Sequence, residues 1–304
     1  MTAESQERFS RGRRFAIRIA AVLGLVLFAF FFSVVAAEAM DIIQAGTEGS
    51  PNDPPPSPAA QLGAAHPGEA VHVAGALSTL AIGGSGLIAL IIWPERSTFA
   101  YHVLAAMLGV VITLPLVGDP DNFGGQAGFI DPLFLVLVIP SLLASLMALP
   151  WGHWRSGTSK PTLLLLAAIV AAPAAWYGVD QALMQRNTFP PTADPHHNAH
   201  WWVMAVAAFM VVLVTAAAAF PSRGWRLGGF VAGAASIGVG VGSILDQSAA
   251  SAVWIGWALA AVLWGVGTIW FTLQEVTVWS PRYQPSVPSA GPTLSPTGAR
   301  SLLA

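Results

Sequence analysis

The chain has 304 residues, of which 55% are hydrophobic and only 9% charged, where a soluble domain carries about 25% charged residues. A polypeptide so long and so apolar would show water large greasy patches, which excludes an ordinary soluble globular protein. The net charge of -2 offers no basic surface for nucleic acid, and the lack of cysteine removes disulfides, thiolate metal sites, iron–sulfur clusters and cysteine nucleophiles.

A helix needs about 20 apolar residues to cross the hydrocarbon core. Eight such runs follow one another, near 15–37, 70–93, 99–117, 131–150, 163–185, 200–220, 227–246 and 252–274. The predicted fold is an all-α polytopic membrane protein of about eight transmembrane helices, a single domain over 15–274. Residues 1–14 form a basic tail, 38–69 a Pro-rich loop between the first two spans, and 275–304 a Pro/Ser-rich tail expected to be disordered. The third span ends at Pro115. Pro140 and Pro173 lie inside the fourth and fifth, where neighbouring helices can satisfy the freed carbonyls and kinks are expected. The basic start, the apolar run and Ala37-Glu38-Ala39 resemble a secretory signal. The apolar run of about twenty residues exceeds the usual 7–15, so the first span reads as a retained anchor.

Loop charges give an orientation. Arg8, Arg11, Arg13, Arg14 and Arg18 open the chain, and Arg96, Arg155, Lys160, Arg223, Arg226, Arg282 and Arg300 fall on the same side after an even number of spans. Only Arg186 falls opposite, together with Glu38, Asp41, Glu48, Asp53, Glu69, Asp119, Asp121, Asp131, Asp194 and Asp246. The expectation is a multi-pass protein of the plasma (inner) membrane with both termini in the cytoplasm, partnered by the lipid bilayer and by other membrane proteins.

Spans two and six, which both enter from outside, begin alike: Pro67 is followed five residues later by His72, and Pro195 by His200. Proline suits the first turn of a helix, where its missing N–H is no loss. This match raises the expectation of two four-helix repeats that would bring the two helix starts into equivalent places.

Five of the seven histidines, His66, His72, His196, His197 and His200, lie on the outer side. His197, His200 and Met204 share one helical face at i, i+3, i+7, and His196 and His200 are an i, i+4 pair. Two imidazoles so spaced can reach one metal ion, and a thioether beside them suits copper. Asp194 can ligate or orient a ring, and Glu69 with His72 makes the Glu-x-x-His pair that recurs in bundle metal sites. The candidate metal ligands are therefore His72, His197, His200, Glu69, Asp194 and His196, holding copper or zinc, with haem ranked behind them.

Small residues let helices approach closely, so Gly75, Thr79, Gly83 and Gly86 below His72 predict a protein-packed face. Ala234, Gly238 and Gly242 predict another, leading to Asp246, and Tyr177, Asp180 and Met184 share a face of span five. His102, close to Arg96, reads as interfacial, and the tryptophans at span ends, Trp201 and Trp202 among them, read as an aromatic belt. The lone lysine, Lys160, lies in a loop, which excludes a retinal Schiff base within a span.

The span plan and Glu69-x-x-His72 resemble those of the haem A synthase family. That family places further haem-binding histidines in spans four and eight and often an arginine after its histidine. Here 131–150 and 252–274 hold no histidine, and Val73 and Trp201 follow His72 and His200. The resemblance implies at most one haem, between His72 and His200. The reading is a membrane protein with a His/carboxylate metal site near its extracytoplasmic face, acting in metal-dependent membrane chemistry or in metal or haem handling. A non-catalytic accessory subunit and a small-solute or lipid transporter are the alternatives.

Overall fold

A computed structural model of the chain describes residues 11–45, 69–117, 127–149, 160–187, 200–220, 224–247, 249 and 251–278, with side chains at 11–30, 71–117, 138–149, 160–187, 201–220, 224–247, 249 and 251–274. These residues form eight helices: α1 (Arg11–Ala45), α2 (Glu69–Ile92), α3 (Ser97–Val117), α4 (Ala127–Ala148), α5 (Pro161–Asn187), α6 (His200–Ala218), α7 (Arg226–Leu245) and α8 (Ile255–Val278). Six of them, α2, α3 and α5 to α8, hold apolar stretches long enough to cross a bilayer. The described side chains of α4 make a shorter apolar stretch, Val138–Ala148. The chain is an all-helical, multi-pass integral membrane protein.

The helices begin and end within a few residues of the predicted spans except at the end of α1. Helix α1 continues to Ala45, past Ala37-Glu38-Ala39, through residues such as Ala, Glu and Met that favour helix. Helix α3 runs two residues beyond Pro115 to Val117.

Contacts at the helix ends give an alternating course. The Arg13 guanidinium at the start of α1 donates from Nε to Met147 O (2.9 Å) and from Nη2 to Leu149 O (3.0 Å), at the end of α4. Arg18 Nε donates to Ile91 O near the end of α2 (3.0 Å), and the Lys160 N–H before α5 donates to Ala219 O just past α6 (2.8 Å). At the opposite end the indole N–H of Trp202, early in α6, donates to Thr113 Oγ1, late in α3 (2.9 Å). Arg11, Arg13, Arg14, Arg18, Arg96, Lys160 and Arg226 thus gather at one end of the bundle, and His72 and Arg186 at the other. We refer to these as the arginine end and the histidine end.

Helix α2 packs against α1, α3, α6 and α7, and its small residues are why it can. Gly75 lies against the Met204 thioether of α6, Gly83 against the Phe28 ring of α1, and Gly86 against the His102 ring of α3. Thr79, between them, is fully buried. Each glycine is a notch for one bulky side chain from a different neighbour, which suits helices that hydrophobic exclusion from water cannot drive together. Cross-links add to this packing: Ser78 Oγ donates to Ala235 O on α7 (3.2 Å), Ser236 Oγ to Ala261 O on α8 (2.9 Å) and Trp264 Nε1 to Leu166 O on α5 (2.9 Å).

Helices α7 and α8 approach most closely. A Cβ on Gly265 would stand 2.5 Å from Gly233 O, and one on Gly240 would stand 2.6 Å from Ala258 O. The expected α7 face is corrected at Ala234, which is exposed; Gly242 is buried and Gly238 half-buried, and the residues turned to α8 are Gly229, Gly233, Ser236 and Gly240. The helical period puts Ala234 about 100° away from Gly233, on a lipid-facing side. Lipid also faces α5 and α8, where Leu165, Trp176, Trp257, Leu263 and Trp270 are exposed.

The α7/α8 seam gives the first prediction. Gly265→Ala forces a methyl onto backbone atoms that cannot rotate away, at a cost of about 1–3 kcal/mol. Gly267→Ala meets nothing within 4 Å and gains helix propensity of up to about 1 kcal/mol. Thermal unfolding in detergent should therefore fall for the first and hold or rise for the second.

Candidate functional site at the histidine end

His72 lies in the first turns of α2, with 9% of its surface exposed. Its Nε2 is 2.7 Å from Ser251 Oγ, and Ser251 is wholly buried in the connection between α7 and α8. The carbonyl of Ser251 accepts the Tyr177 hydroxyl of α5 at 2.6 Å. One residue of the connection is thus tied by its side chain to α2 and by its backbone to α5. The connection is further fixed by the Gln247 amide, which donates to Ser243 O and to Val253 O, and by the Val253 N–H, which donates to Ser243 Oγ (3.4 Å). Buried polar groups must find such partners, because one left unpaired costs about 1–3 kcal/mol.

Below this link lies Met204. It is fully buried, packs with Val71, Ala249, Tyr177, Val239 and Ala252, and sets its thioether on Gly75. Gly75 is about one turn from His72, and Met204 about one turn from His200, the first residue of α6. The first turns of α2 and α6 therefore stand beside each other. The available chemistry is an imidazole, which suits zinc or copper, and a thioether, a soft donor, with the Ser251 hydroxyl able to orient the imidazole.

Of the residues predicted as ligands, His72 is placed in this cluster. His197, His196 and Asp194 lie outside the described residues, as do the side chains of Glu69 and His200. Among the described residues, no three His, Asp or Glu side chains form a group that could hold a metal ion.

A second polar layer follows α5 toward its end. Gln181 and Gln185 are buried on one face with half-buried Tyr177 at i, i+4, i+8, whereas Asp180 is exposed. This corrects the expected Tyr177/Asp180/Met184 face: of the two polar stripes on α5, the neutral one turns inward, as the cost of burying an ionised carboxylate requires. Gln185 Oε1 accepts the Trp202 backbone N–H (3.2 Å). Trp202 is itself buried in the core rather than part of a belt, its indole N–H satisfied by Thr113. Gln181 Oε1 is buried with no hydrogen-bond partner among the described residues.

His102 also departs from its expected place. It is buried, and its Nε2 is 2.7 Å from Ile82 O, midway along α2. A carbonyl only accepts, so Nε2 carries the proton. The Gly86 notch removes the Cβ that would block the ring.

Ser251 had no sequence signal, since it sits in a short Ser/Ala connection and meets His72 across 179 positions. No family model matches the chain, and no curated protein or solved structure matches it.

The double link through Ser251 yields a prediction. Ser251→Ala removes one partner of His72, and Tyr177→Phe removes the donor to the Ser251 carbonyl, each at a cost of about 1 kcal/mol. Amide hydrogen exchange in residues 246–254 should accelerate in both. The double variant should cost less than the sum of the two, because each change frees the same connection.

Proposed function

We propose that this membrane protein holds a copper or zinc ion at the histidine end, with His72 and His200 as nitrogen donors, His197 as a third, and Glu69, Asp194 or His196 assisting. The observation that carries the reading is the seat of Met204 on Gly75. It sets the helix start bearing His72 beside the one bearing His200. A thioether beside imidazoles favours copper, and carboxylate with imidazole suits zinc. The Ser251 hydroxyl on Nε2 fits the outer partner that commonly fixes the orientation of a ligating ring. Bound zinc would supply hydroxide near neutral pH, and bound copper would supply redox chemistry. The activity is accordingly metal-dependent chemistry on a membrane-soluble substrate, or the handling of metal or haem.

Purified wild type should carry about one metal ion per chain and the His72→Ala/His200→Ala variant under about 0.1, with circular dichroism checking that the variant stays helical. Met204→Leu conserves volume and should lower copper retention relative to zinc. Equal and negligible metal in wild type and double variant, without haem absorbance, would sink the reading.

The same reading places the arginine end in the cytoplasm, by the positive-inside rule. The chain has no cysteine, so one introduced thiol reports a location cleanly. In intact cells Asp246→Cys should react with a membrane-impermeant maleimide and Arg96→Cys only after permeabilisation. The reverse pattern would overturn the assignment.

A further inference from the structure

A second feature, independent of the metal reading, lies at the arginine end. Helix α1 carries Arg18 about two turns inside its start, roughly 10 Å beyond Arg11. Its hydrogen bond to Ile91 O sets it level with the last residues of the span Val71–Ile92, where hydrocarbon gives way to headgroups. Arg18 is exposed. On the same helix face, Arg11 and Arg14 stand toward the arginine end, and Val22 and Val26 stand exposed toward the bilayer centre. This is the order of a phospholipid, charge above and acyl chain below.

Guanidinium stays charged and has five N–H donors in a fork that matches phosphate. Among the described residues, Arg18 spends one of them, Nε, on Ile91. Of the acidic side chains described, Asp180 and Asp246 belong to the histidine end. Glu95 is exposed and forms no ion pair with a described residue. On the other side of the last turn of α2, the Arg96 guanidinium stacks on Trp93, 4.8 Å from the ring centroid. Trp93 is half-exposed, at the level where indoles anchor helices to headgroups.

We propose that the crevice between α1 and the end of α2 binds the phosphate of an anionic phospholipid, gripped by the Arg18 guanidinium that stands over Ile91. Arginine and phosphate pair by charge-assisted, often bidentate hydrogen bonds. Basic pockets between membrane helices take anionic headgroups for this reason. A free phosphate would satisfy the Arg18 guanidinium and leave Val22 and Val26 uncovered, which makes the lipid the better match.

The test uses the full chain in nanodiscs and by native mass spectrometry. Phosphatidylglycerol should bind more tightly than phosphatidylcholine and raise the unfolding temperature more. Arg18→Gln should weaken that preference by roughly fivefold. Lys160→Gln, with the same charge change at the same end, should keep it. An equal loss in this control would mean that diffuse charge suffices, and would overturn the site. Stabilisation by inorganic phosphate in phosphatidylcholine discs, equal to that by phosphatidylglycerol, would overturn the lipid in favour of a free anion. Should the Arg18 variant not fold, the wild-type titration decides alone, and no preference for phosphatidylglycerol rejects the proposal.

Discussion

The structure rests on how closely other helices can approach α2. In a bilayer, apolar side chains gain little by leaving lipid for protein, so helices associate through packing and a few cross-helix hydrogen bonds. Helix α2 meets this constraint with glycines spaced along the helix, each opposite a bulky residue from a different neighbour. Met204, Phe28 and His102 fill notches at Gly75, Gly83 and Gly86. The polar links across the bundle, His102 to Ile82 and Ser78 to Ala235, follow from that approach.

Polarity is distributed to suit the bilayer. Apart from Arg186, the described arginines and the lysine lie toward one end, and two of the arginines also serve as caps. The guanidinium of Arg13 takes two carbonyls at the end of α4, and Arg18 takes one near the end of α2. The last carbonyls of a helix lack intrahelical donors and carry its negative partial charge, so a cation there satisfies both needs at once. Interior polar groups are neutral: Tyr177, Gln185, Thr113 and Ser251 pair with one another or with backbone. Gln181 Oε1 is the exception in that layer.

The candidate metal site follows the same logic. The residues proposed for it lie where the bundle is still packed yet close to its end, so His72 and Met204 are shielded from water without needing a charged counterpart deep in the membrane. The α7–α8 connection closes over it through a single residue held from two directions, Ser251.

By itself the sequence determined the helical class, the six spans α2, α3 and α5 to α8 and the asymmetry of charge, because each reflects transfer of a local segment between water and lipid. It also showed that α2 would present a close-packing face, since a run of small residues at helical spacing has little other use. Where several faces of one helix were plausible, composition could not choose between them. Ala234 turned outward, Gln181 rather than Asp180 turned inward, and Trp202 entered the core. Tertiary structure alone decided the partners: Ser251 for His72, Gly75 for Met204, Ile82 for His102. Rotation of a helix about its axis, and the meeting of residues far apart in the chain, depend on the shapes of all its neighbours together, and no single segment encodes them.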